Sequence, residues 1–205
     1  RTEEQIRYRS RAQADALALF LKERLSILSA MADAHAFSEI NDDRRLSQIF
    51  QIMNQRAGAF VDLGIISNSG QHLTYIGPYE LRGLNYYQEE WFAEVMSKGI
   101  YISDVYLGYR QLPHFIIAVR RQEGQNTWIL RATIDPTIFG ALVRAAQVGK
   151  TGDAFIVNEA GIYQTPPRFG GQSLSASKLD TKLFGGRTSL VSLKDEEGRE
   201  FLYAG

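Results

Sequence analysis

This 205-residue sequence has no cysteine and no net charge. Without cysteine there are no disulfides and no thiolate metal sites. The 23 Lys and Arg residues balance 23 Asp and Glu, so no basic excess draws the chain to nucleic acid or an anionic surface. No stretch approaches the roughly 20 consecutive apolar residues that span a bilayer, and the first residues do not read as a secretory leader. The three histidines, His35, His72 and His114, lack the short spacings of metal-ligating pairs. There is no Gly-x-Ser-x-Gly elbow and no thiol nucleophile. Gly149-Lys150-Thr151 resembles the end of a phosphate-binding loop, but Arg144 stands where that motif needs its first Gly, and a helical pattern rather than a strand precedes it. The adjacent acids Glu89-Glu90 and Asp195-Glu196-Glu197 have diverging side chains and read as solvated faces, not acid–base pairs. No cofactor, metal or catalytic motif emerges, and the sequence does not read as an enzyme.

What is present is an ordinary globular composition, 44% hydrophobic and 22% charged. The chain starts abruptly at Arg1 in a polar helical pattern, without an initiator Met. We therefore expect a piece of a longer protein, with membrane helices among its flanks. Residues 3–37 predict one long helix, with Leu17, Phe20, Leu21, Leu25, Leu28, Met31 and Ala32 on an apolar stripe. Its polar first turns suggest a stalk, or else a core helix with a frayed end. Asn41-Asp42-Asp43 caps a second helix with Leu46, Ile49, Phe50 and Met53 on one face.

Strand patterns follow at 61–66 and 72–76, then a helix at 88–97 stopped by Lys98-Gly99. Three more strand patterns cover 100–107, 115–121 and 127–134. Asp135-Pro136 opens a helix through 147. The pattern then restarts: strands at 154–157 and 162–165, a Gly/Ser-rich loop, a short helix near 179–184, and a hairpin from 188–193 and 200–203. Placing Gly70 on Gly161, 91 residues apart, also aligns Ile65-Ile66 with Ile156-Val157 and Thr74 with Thr165. This repeat predicts an α+β chain: a long helix, then two similar lobes of antiparallel sheet with flanking helices, the second incomplete. The expected boundaries are 1–37, 38–147 and 148–205.

Seven of the ten tyrosines lie between Tyr75 and Phe115. Tyrosine gives a pocket an apolar wall and an orienting hydroxyl. The candidate ligand-binding residues are Tyr75, Tyr87, Trp91, Tyr101, Asp104, Tyr106, Arg110 and His114. Asp104 suits a cationic ligand group and Arg110 an acidic one. Trp91 and Phe92 read equally as core or as pocket floor. Of the adjacent Tyr86 and Tyr87, one at least should be exposed.

The ordered set of motifs resembles a double Cache sensor domain. The resemblance rests on the long leading helix, the strand–turn–strand over 63–74, and Tyr86 through Trp91-Phe92. It extends to Gly99-Ile100-Tyr101-Ile102-Ser103-Asp104-Val105-Tyr106, to Pro113-His114-Phe115, and to the run from Gly149 to Asn158. It implies two PAS-like lobes stacked along the helix, the membrane-distal one binding a small molecule. It also implies a periplasmic or extracellular location, membrane anchoring by flanking helices, and a homodimer. The parent would be a histidine kinase, a chemoreceptor or a cyclic-dinucleotide enzyme. Ligand binding would shift the packing of the distal sheet on the helix, which relays the change. A protein-interaction module recognising a periplasmic partner, or a cytosolic PAS-type regulator, are the rival readings. One departure stands out. Amino-acid-binding members carry an Arg two residues before the Trp, and here Glu89 occupies that place.

Overall fold

The computed structural model describes residues 2–185, 190–194 and 196–204; Arg1, residues 188 and 189 of the expected strand, and Asp195 of the acidic run lie outside the described residues. The chain divides into two compact units, Leu21–Ile138 and a second made of Arg1–Phe20 with Phe139–Gly205. The first helix, α1 (Thr2–Ala34), contributes to both.

In the Leu21–Ile138 unit, α1 buries Leu28 and Ala32, two of the residues on the predicted stripe. One turn earlier the buried residue is Arg24, a position an apolar count passes over. Its guanidinium donates to the Ala57 carbonyl at 2.5 Å. That carbonyl closes α3 (Asp43–Arg56), where a helix end favours positive charge. The long helix stops at Ala34, and a separate turn, α2 (Phe37–Ile40), follows. Asp42 caps α3 through the Arg45 amide at 2.9 Å, as the Asn-Asp-Asp cluster predicts.

Five antiparallel strands form the unit's sheet, in the order β2 (His72–Ile76), β1 (Phe60–Ser67), β5 (Asn126–Ile134), β4 (Ile116–Glu123), β3 (Ile100–Ile102). Because strand side chains alternate, the register assigns each residue to a face. Leu63, Ala132 and Ile117 pair on one face, together with Ile65, Leu130 and Val119. Asp62, Thr133 and Ile116 pair on the other, together with Gly64, Arg131 and Ala118. This second face continues into a buried cluster of Ile66, Tyr86, Trp91, Phe92, Val95, Ile116, Ala118 and Ile129, built around α4 (Glu90–Lys98).

The expected strand at 100–107 is shorter than its pattern. At Ser103 the hydroxyl, not a carbonyl, takes the Ile116 amide at 3.0 Å. The chain then leaves the sheet as a loop that closes on itself through paired Tyr106 and His114.

The second unit is built on less regular structure. The first part of α1 meets α5 (Pro136–Arg144) and its continuation: Gln13 donates to the Leu142 carbonyl, Arg9 to the Gln147 carbonyl at 3.3 Å, and Phe20 packs on Phe139 with ring centroids 6.1 Å apart. The expected strands at 154–157 and 162–165 are reduced to a bridge between Val157 and Tyr163. The Thr165 hydroxyl, rather than a carbonyl, takes the Ile156 amide. The expected helix near 179–184 is a single 3-10 turn, Thr181–Leu183. Strands β6 (Leu190–Lys194) and β7 (Glu200–Ala204) form the hairpin.

The 91-residue repeat holds bond by bond. Gly70 and Gly161 both adopt positive φ, 85° and 76°, and their amides donate to the carbonyls of Ser67 and Asn158. Their own carbonyls accept from Tyr86 and Ser177. His72 donates to Leu84 as Tyr163 does to Ser175, and Phe92 to Glu89 as Leu183 does to Asp180. The two copies share a backbone path but not its contents, since Trp91 and Phe92 correspond to Lys182 and Leu183.

Gly64 is required for space. A Cβ there would lie 2.2 Å from His72 Nε2, on a buried ring whose Nδ1 is hydrogen-bonded to Tyr86 Oη at 3.0 Å. Gly64→Ala is expected to lower the unfolding free energy by about 1–3 kcal/mol, measured by chemical denaturation; an unchanged midpoint would show that the ring has room to move.

Candidate ligand-binding site

One row crosses all five strands: Tyr75 on β2, Gly64 on β1, Arg131 on β5, Ala118 on β4 and Tyr101 on β3. Arg131 thus has the two smallest side chains on either side of it; the His72 ring fills the space beside Gly64, and Arg131 itself lines a cavity. Arg131 forms its floor with Tyr86, Trp91 and His114, while Leu81, Glu89, Tyr106, Gly108, Tyr109 and Arg110 complete the lining. The enclosed space is about 10 Å³, near the minimum for one water. A larger occupant therefore requires the lining to move. The mobile candidate is the loop carrying Gly108–Arg110, which is closed over the site by a hydrogen bond from Tyr109 Oη to the Asn85 carbonyl at 3.1 Å.

Tyr86 is the hub of the aromatic wall. Its ring lies 5.4 Å from His72, 5.1 Å from Trp91 and 5.7 Å from Tyr109. The Arg131 guanidinium sits 4.8 Å from the Tyr86 ring and 5.2 Å from Trp91, within cation–π range. Burial opposes the Arg131 charge, but Tyr86, Asp62 and Tyr106 more than offset it and raise its pKa.

Beside this lies a second buried cation. Arg110 forms an ion pair with Asp62, both side chains almost wholly enclosed. Arg110 also donates to Thr133 Oγ1 at 2.6 Å and lies 4.5 Å from the Tyr79 ring. Asp62 in turn accepts from Tyr75 Oη at 3.0 Å and from the Thr133 amide at 3.0 Å. Burial, with Arg131 and Arg110 adding to it, pushes His72 down to about 3. Burial likewise lowers His114 to about 4, so both rings are neutral near pH 7. Burial holds the Tyr106 phenol up at about 12.

Of the eight candidates from sequence, Trp91, Tyr106, Arg110 and His114 line this cavity together. Tyr75 lies beneath it, bonded to Asp62. Tyr101 packs against the neighbouring cluster. Asp104 is on the exposed side of the loop. Tyr87 is 61% exposed, its ring against Phe92 at 5.9 Å. Of the adjacent tyrosines, Tyr86 is buried, its amide donating to the Gly70 carbonyl at 2.8 Å, and Tyr87 stands in the turn that follows. Sequence reasoning missed Arg131, Tyr86, Tyr109, Leu81 and Gly108, and counted Glu89 only as a departure. For Arg131 a signal existed: a lone Arg amid Trp128, Ile129, Leu130 and Ala132 is a charge in a strand that has no solvent face.

No family model matches the sequence, and no curated protein matches it. Solved structures do. The chain superposes on the extracellular domain of the putative histidine kinase rpHK1S-Z16 with a TM-score of 0.72 at 14% identity, covering 99% of this chain and 88% of that one. The ligand-binding domain of the Pseudomonas aeruginosa amino acid chemoreceptor PctC, in complex with GABA, matches with a TM-score of 0.66 at 14% identity, over 93% of this chain and 88% of that one. An extracellular ligand binding receptor from Desulfohalobium retbaense matches at 0.72 and 11% identity over 90% of this chain, which spans only 35% of that receptor. The chain has the double Cache fold. The cavity lies on the sheet face covered by α4. Among the described residues no helix is long and apolar enough to cross a membrane, and no cluster of metal-ligating side chains occurs.

Two outcomes follow from the buried charges. Asp62→Ala strands the Arg110 guanidinium and is expected to destabilise by about 3–5 kcal/mol. Denaturation of the single and double Asp62/Arg110 variants checks this; additive losses would mean the pair is not coupled. The histidines set an acid limb. Unfolded, each binds a proton below its ordinary pKa near 6.5; folded, His114 does so only near 4 and His72 near 3. Their contribution is complete above pH 6.5 and is lost as pH falls toward 4, on the order of 1 kcal/mol per pH unit for each ring. Thermal melts of His114→Gln should show a shallower acid limb; a slope equal to wild type would contradict the assignment.

Proposed function

We propose that this chain is the extracytoplasmic sensing module of a membrane-anchored receptor, with a small-molecule ligand bound in the cavity of the Leu21–Ile138 unit. The carrying observation is convergence: two buried guanidinium groups, four aromatic side chains and a neutral histidine line one cavity, beneath a loop tied to the sheet through Arg110. The solved structures of the same fold are extracellular domains, and one holds GABA. Recognition rather than catalysis is the reading supported by the solved structures of this fold, which are extracellular and ligand-binding domains. Ligand entry would displace the Tyr109 loop and alter the packing of the sheet. Helix α1, shared by both units, is the element suited to pass that change to an output domain, in a homodimer and with a histidine kinase as the favoured output.

A second reading has its own observation. Tyr87, Leu107, Tyr109 and Leu112 are 42–61% exposed on loops around the cavity, an apolar rim that suits a periplasmic protein partner. Thermal-shift screening with a metabolite panel separates the two. The sensor reading predicts stabilisation of about 2.7 kcal/mol at a hundredfold excess over Kd, retained in Tyr87→Ala and weakened in Tyr106→Phe. No stabilisation by any metabolite, with loss of signalling in Leu112→Asp, would favour the protein partner.

A further inference from the structure

The cavity's charges have an order in depth. Arg131, 3% exposed, lies at the floor. Glu89, half-buried, lies at the rim, where it precedes α4 and makes no capping hydrogen bond. Asp62 supports the Arg131 charge from a distance, but its direct ion pair is with Arg110. The buried balance is therefore cationic, with one carboxylate for two guanidinium groups. A cationic ligand would compete with Arg131 for the rings that could cage it, since Arg131 already faces both Tyr86 and Trp91. Two donors point the same way. Trp91 Nε1 and Arg110 Nε are buried without a hydrogen-bond partner, and both side chains line the cavity. Buried donors of this kind favour an occupant that brings acceptors.

We infer that the ligand is a small monoacid, a carboxylate with a neutral or cationic far end, seated acid-inward on Arg131 with Trp91 and Arg110 donating beside it and its far end turned toward Glu89. The inference rests on the cavity being the ligand site. Glu89 then acts as a selector. A second carboxylate on the ligand would meet it in a partly desolvated rim, where like charges repel. The arrangement places the acid-binding guanidinium on β5 of the sheet and a carboxylate in the turn before α4. An ω-amino acid or a simple monocarboxylate satisfies both positions; a dicarboxylate or a quaternary amine does not.

The test is isothermal titration of the whole 205-residue chain with propionate, GABA, glycine, succinate and choline, repeated on Arg131→Lys, Arg131→Gln and Glu89→Gln, with circular dichroism confirming that each variant is folded. Propionate or an amino acid should bind wild type, with choline and succinate silent. Arg131→Lys, which keeps the charge but loses the bidentate fork, should weaken binding about tenfold or more, and Arg131→Gln further. Glu89→Gln should admit succinate, which wild type rejects; because that side chain is half-exposed and makes no capping hydrogen bond, this arm does not depend on Arg131 variants folding. Binding of choline alone, or unchanged monoacid affinity in folded Arg131→Gln, would overturn the acid-inward assignment while leaving the cavity as a ligand site. Silence toward all five compounds, by calorimetry and by melting temperature, would overturn the ligand-site reading itself and this assignment with it.

Discussion

The ion pair between Asp62 and Arg110 is the interaction on which the sensing face depends. Asp62 sits where β1 shifts register against β5, and its carboxylate supplies the acceptor that the Thr133 amide meets there. The same carboxylate ties in Tyr75 from β2 and Arg110 from the loop over the cavity. One buried charge therefore joins two neighbouring strands and the loop to β1. Such a pair is not a large net source of stability, since both ions lose their water. Its value is positional: neither group tolerates loss of the other, so the loop returns to one place.

The second constraint is steric. A guanidinium in the middle of a five-stranded sheet needs room, and the register supplies it by placing Gly64 and Ala118 on either side of Arg131. The same gap accepts the His72 ring from the next strand. The aromatic wall then closes over the charge, with Tyr86 contacting His72, Trp91, Tyr109 and Arg131. In the second unit the corresponding backbone turns recur 91 residues on, yet Lys182 stands in place of Trp91. The repeated path has kept its turn chemistry and lost its aromatic contents.

Much of the fold was legible in the sequence, for physical reasons that can be named. Local turn chemistry is strong: the Asn-Asp-Asp cap, Gly70, Gly161, Gly99 and Asp135-Pro136 all mark the boundaries they predict. Short apolar runs marked β1, β4 and β5. Where side chains replace backbone partners, as Ser103 and Thr165 do, such runs overstate strand length. The candidate site was half legible. A density of tyrosines found Trp91, Tyr106, Arg110 and His114, because they lie close in sequence. Arg131 lies far along the chain and is brought in only by strand register, which no local pattern encodes. Arg24 escaped for a related reason: its long stem packs as an apolar group while its charge closes another helix.

The account turns on Trp91 as a wall of an occupied site, and the chain offers a direct reporter because it has two tryptophans, with Trp128 wholly buried against Phe37. In a Trp128→Phe variant, fluorescence comes from Trp91 alone. The measurement is the emission of that variant while a compound that raises the melting temperature is titrated in. The account predicts a saturable change in Trp91 emission at the same midpoint as the stabilisation. Stabilisation without any change at Trp91 would place the ligand elsewhere and contradict it.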